Sequence, residues 1–146
     1  MRKICLLILA CIFVCSFSVT GYANDAVTVK INGEALASPV SARLENGRTL
    51  LPMRAIFEEL GAKVNWMPDD ELIIATKDDL FIVMQIGNPQ MTVQRLNVSK
   101  KTVLELDVVP FVENGSTIVP VRAVAESLGA RVDWEDETWT VLITTD

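Results

Sequence analysis

The chain has no histidine, and aromatic residues make up only 6% of it. Its three cysteines, Cys5, Cys11 and Cys15, all lie near the N-terminus, and its single tyrosine is Tyr22. Each absence removes a chemistry. Without histidine there is no Ser-His-Asp triad and no imidazole metal site. Without cysteine beyond Cys15 the rest of the chain has no thiolate nucleophile and no disulfide framework. Positive charge is also scarce, with 13 Lys and Arg against 19 Asp and Glu, a net charge of −6 and a pI near 4.7. A nucleic-acid binder needs a basic stripe to neutralise phosphates, so this balance argues against that class. The 146 residues suit one compact domain or two small repeats sharing a core.

What is present begins with an export pattern. Arg2 and Lys3 form a short positive start, and Ile4 to Val19 is an apolar run of 16 residues. That run falls short of the roughly 20 residues a spanning helix needs. Gly21-Tyr22-Ala23 then places small side chains at the −3 and −1 positions of a signal-peptidase site, predicting a signal peptide over 1–23. Lipidation fits less well, because bulky Phe13-Val14 precede Cys15 and only a short apolar stretch precedes Cys11. A retained anchor stays open as the other alternative. The mature chain, residues 24–146, would have 11 basic and 19 acidic residues, net −8, and no Cys, His or Tyr. Such a chain is expected to be secreted, with cell-wall association open, and to rely on packing rather than oxidative folding.

The sequence repeats itself. Residues 45–66 and 113–134 align at a constant offset of 68 and are identical at 13 of 22 positions. Each copy has the same local grammar. Asn46-Gly47 and Asn114-Gly115 are turn dipeptides. Thr49–Leu51 and Thr117–Val119 lean toward strand, and Pro52 and Pro120 punctuate the chain before helices near Met53–Leu60 and Val121–Leu128. Gly61 and Gly129 stand where a helix stops in the left-handed conformation. A strand ending at Trp66 or Trp134, an acidic turn and a closing strand complete each unit. Between the copies, Leu80–Ile86, Gln90–Leu96 and Lys101–Leu106 read as strands, the first two as a hairpin. The expected fold is α+β: two pseudo-repeats, approximately 27–77 and 80–145, form one compact domain.

The pattern NG-x-T-φ-φ-P-φ-R-A-φ-x-E-x-LGA-x-V-x-W, with φ apolar, resembles the copper amine oxidase N-terminal-like domain, also called the stalk domain. The resemblance occurs twice and covers residues 27–145. It implies an antiparallel sheet curved around a short helix in each unit, and a secreted, non-catalytic accessory module of the kind common in the envelope of Gram-positive bacteria. The implied partners are a cell-wall or envelope protein or a glycan, with self-association open. Nucleic acid is not among them, and the mature chain has no transmembrane segment. The oxidases hold copper on three histidines of a separate catalytic domain and make a quinone cofactor from a tyrosine. A mature chain without either residue can build neither, so no cofactor is expected.

The remaining candidates are few. A paired-carboxylate glycosidase needs only two acids, but the acids here cluster in turns and on helix faces. Turns Asp69–Glu71 and Glu135–Glu137 lack the spacing of a calcium loop. Arg54 and Arg122 stand at helix N-termini, where the macrodipole disfavours a cation, so Glu58 and Glu126 or nearby carbonyls are expected to pair with them. A role in pinning the strand-to-helix corner and a contact with an anionic ligand both fit. Trp66 and Trp134, alternating with Val64 and Val132, are expected to face the core. Trp139 stands where copy one has Glu71; packing and stacking on a ligand ring are its two readings.

Overall fold

In the computed structural model, residues 26–38 and 41–146 are described. The expected export segment, with Cys5, Cys11, Cys15 and Tyr22, lies outside them. The first repeat runs β1 (Ala26–Ile31), β2 (Glu34–Ala35), β3 (Ala42–Glu45), β4 (Arg48–Pro52), α1 (Met53–Glu59), β5 (Lys63–Met67) and β6 (Leu72–Lys77). A meander follows: β7 (Leu80–Gln85), β8 (Gln90–Arg95) and β9 (Thr102–Glu105). The second repeat closes the chain with β10 (Phe111–Glu113), β11 (Ser116–Pro120), α2 (Val121–Ser127), β12 (Arg131–Glu135) and β13 (Thr140–Thr144).

The α+β expectation is corrected by this inventory: among the described residues strands take 52% and helices 12%, so the fold is β-rich. Each helix is only seven residues, two turns, and cannot form a layer of its own. The sheets also do not divide one per repeat. One sheet has the order β10-β11-β4-β3-β1-β13-β12, with β2 attached to β1, and the other runs β5-β6-β7-β8-β9. The first mixes both repeats and includes a parallel pair, β1 with β13, in register from Thr28↔Thr140 to Ile31↔Ile143.

The two copies meet across β4 and β11. Leu51 pairs with Val119, Pro52 with Ile118, and Leu50 with Pro120. With an offset of 68, Leu51 therefore faces its own counterpart, and a local twofold axis passes between them. Both helices pack on that side, burying Ile56, Phe57, Val124 and Ala125 completely. Their ends follow the Schellman pattern. After α1, Gly61 N–H donates to the Glu58 carbonyl and Ala62 N–H to the Phe57 carbonyl, at 2.9 and 2.8 Å. Gly129 and Ala130 repeat both bonds after α2, at 3.0 Å each. Gly61 and Gly129 have φ of +79° and +87°, which a side chain strains.

Alternation turns Leu50 and Ile118 to the opposite side of the same strands, where both are buried. Arg43 lies across them. Its guanidinium sits 5.6 Å from the centre of the Phe111 ring and pairs with Glu45 and Glu113. The bond with Glu113 raises the Arg43 pKa further above its ordinary value. A single core joins both helices to the inner faces of both sheets, with Ile73, Ile82, Met84 and Met91 from the five-stranded sheet.

Candidate functional site

The twofold arrangement makes two equivalent grooves. The first is lined by Pro52, Met53, Arg54 and Trp66 of copy one, and by Val112 and Gly115 to Thr117 of copy two. Shifting those numbers by 68 gives Pro120, Val121, Arg122 and Trp134, facing Leu44 and Gly47 to Thr49, which line the second groove. Each groove thus pairs the strand-to-helix corner of one repeat with the Asn-Gly hairpin of the other. Asn46 and Asn114 hold those hairpins at φ of 50° and 49°.

The grooves differ in how far their polar groups are committed. Arg122 donates to the Val132 carbonyl at 3.0 Å and to Glu126 at 3.3 Å, tying α2 to β12. Among the described residues Arg54 reaches only Glu58, at 3.5 Å. The Trp134 indole N–H donates to Asp136 at 2.5 Å, and the ring meets Trp139 edge-on with centroids 6.1 Å apart. Pro68 and Glu71 stand at those two positions in copy one. Trp66 therefore has neither partner, and its N–H meets no acceptor among the described residues. Across the mouth, Arg48 pairs with Asp107 beside Trp134, whereas Ser116 occupies the matching place beside Trp66. The Trp66 groove is accordingly the larger, about 500 Å³ against about 350 Å³.

The structure brings Pro52, Arg54, Glu58 and Trp66 together in one groove, and Pro120, Arg122 and Trp134 in the other. Trp66 and Trp134 are half-buried: one side packs on the core and the other forms a groove wall. Gly61 and Gly129 act as helix stops away from the grooves. Trp139 is 46% exposed at φ 51°, and Glu71, its counterpart, has φ 52°. Sequence reasoning missed the opposite wall, Ser116 and Thr117 in one groove and Arg48 and Asp107 in the other. Only the twofold pairing of β4 with β11 carries those residues across. Among the described residues no three acidic, His or Cys side chains gather to hold a metal ion. No helix there is long and apolar enough to cross a membrane.

Residues 30–143 match the family described as Copper amine oxidase N-terminal domain. The chain belongs to that family. A relative from Brevibacillus choshinensis, named Protease inhibitor, is 27% identical over 125 residues, which is 86% of this chain. The chain spans 36% of that relative's length. As a copper amine oxidase N-terminal domain, it matches the part of those enzymes that lies outside the catalytic domain. The copper of that catalytic domain does not fit here, because the chain has no histidine to hold it.

Proposed function

We propose that this copper amine oxidase N-terminal domain works outside the cell as a non-catalytic interaction module of the envelope. Residues 1–23 direct export and are removed after Ala23, leaving 24–146 as the working domain. The partner is a cell-wall or envelope protein or glycan, held in the Trp66 groove. The observation that carries this reading is the open state of that groove: its indole N–H has no acceptor among the described residues and its arginine holds only an exposed pair with Glu58, while their counterparts around Trp134 also bond Asp136 and the Val132 carbonyl. An aromatic wall beside an arginine is a composition enriched where partners bind.

Co-sedimentation with purified bacterial cell wall tests it. Arg54→Ala, at a half-exposed side chain, is expected to lower retention about tenfold with unchanged melting. Equal retention of wild type and variant, or no retention of either, overturns the reading. Sequencing the N-terminus of the exported product tests cleavage before Asn24.

A second reading, a soluble glycan- or small-ligand-binding protein, is favoured by the exposed ring of Trp139. A glycan array on which Trp139→Ala loses all signal would support it, and a blank array would remove it. The relative named Protease inhibitor adds a protease as a partner class, which an inhibition assay against secreted proteases addresses directly.

A further inference from the structure

The outer face of the five-stranded sheet is laid out by its registers. One row, Asn65, Ile74, Val83, Thr92 and Val103, crosses all five strands. Beside it on the same face lie Met67, Leu72 and Phe81. Met67 and Val103 are exposed, and the other apolar side chains are half-exposed. Charge is confined to the corners. Lys63 stands on β5 and Glu105 on β9, while Lys101, one residue before β9, shares the face of Val103 and Glu105 by alternation. Neither Lys101 nor Glu105 has an ion-pair partner among the described residues. In a chain with 19 acidic residues, a face whose strands carry one carboxylate lets two copies approach with little repulsion.

We propose that this face is a homodimer interface, two five-stranded sheets packing face to face about a twofold axis that runs across the strands through Val83. Under that operation Ile74, Val83 and Val103 each meet their own copy. Lys101 meets Glu105 of the partner subunit, and the contact repeats by symmetry. An axis along the strands would instead stack Lys63 on Lys101, like charge on like. The charges therefore select one of the two face-to-face arrangements. Strand spacing and rise make the patch roughly 20 Å by 17 Å. That is smaller than the roughly 800 Å² per partner of a standard interface, so the dimer is a weak one that forms only at high protein concentration.

Sedimentation velocity on the purified protein, from about 1 to 500 μM, tests this. Wild type is expected to shift from monomer to dimer across that range. Lys101→Glu is expected to weaken the dimer about tenfold. Adding Glu105→Lys to it is expected to restore wild-type association, since the pair is then reversed in both copies. Val83→Lys, which sets two ammonium groups face to face on the axis, is expected to abolish the dimer. A monomer at every concentration overturns the proposal. So does strengthening by Lys101→Glu, as does failure of the reversed pair to recover.

Discussion

The hairpin after α1 and the hairpin after α2 occupy equivalent places in the repeat, yet they join different sheets. β5–β6 continues into β7, β8 and β9, whereas β13 of the second hairpin lies beside β1. The repeated residues specify a strand, a corner, a two-turn helix and a strand. The neighbour of the last strand is chosen outside the repeat. In copy one the apolar run of β7 follows after a two-residue turn at Asp78-Asp79, so the local antiparallel pairing forms. In copy two β13 pairs instead with β1, from the other repeat. The grooves show the same division. The corner builds both, and non-repeated residues such as Asp107, Asp136 and Trp139 decide which one is filled.

Swapping the helix residues tests the twofold arrangement most severely. Phe57 and Ala125 occupy equivalent positions and are both fully buried. Phe57→Ala is expected to cost about 3–5 kcal/mol in chemical denaturation, through lost transfer and a cavity. The double variant Phe57→Ala with Ala125→Phe keeps the total volume and should regain part of that loss. No recovery would mean that the helices are not interchangeable about the axis.

A smaller effect is expected at the helix stops. Gly61→Ala and Gly129→Ala should each cost about 1–2 kcal/mol, because both positions need the left-handed backbone. Comparable losses at both sites would sharpen the equivalence, and a neutral effect at one would break it.

Arg43 sharpens the contrast on the opposite side, since its counterpart is Phe111, the ring it covers. Arg43→Met should lose roughly 1 kcal/mol, because the pairs with Glu45 and Glu113 are partly exposed and screened. High salt should shrink that difference.

The smallest comparison is between the two corner arginines. Arg122→Ala should lower stability by about 1 kcal/mol, through the bond to the Val132 carbonyl. Arg54→Ala should stay within about 0.5 kcal/mol, because its one ion pair is exposed. Equal losses would show that the carbonyl bond contributes nothing.

Much of the secondary structure was legible because its causes are local. Asn-Gly turns, the proline before each helix, the glycine after it and the alternation through Val64 and Trp66 mark boundaries that moved by only one or two residues. The pairing of β7 with β8 was legible for the same reason, since Gly87-Asn88-Pro89 breaks one apolar run and begins another. Sheet membership was not. Nothing local in Thr28 or Thr140 indicates that they are parallel neighbours, and the α+β reading gave two short helices more weight than their length carries. The grooves were half legible. Arg54, Trp66 and their counterparts stood out by repetition; the walls facing them open the same motif in the other repeat, and nothing local shows that the two copies pair.

The parallel pairing of β1 and β13 also determines how the domain bears load. The chain enters at the start of β1 and leaves at the end of β13, which lie at opposite ends of two adjacent strands. Tension applied through those two points pulls the strands along their length, in shear. The ladder bonds and the Asn32–Thr145 pair beyond them then resist together rather than opening one at a time. A domain held between two anchors in this way is a mechanical clamp, and its lifetime under force is set by the unfolding barrier rather than by equilibrium stability.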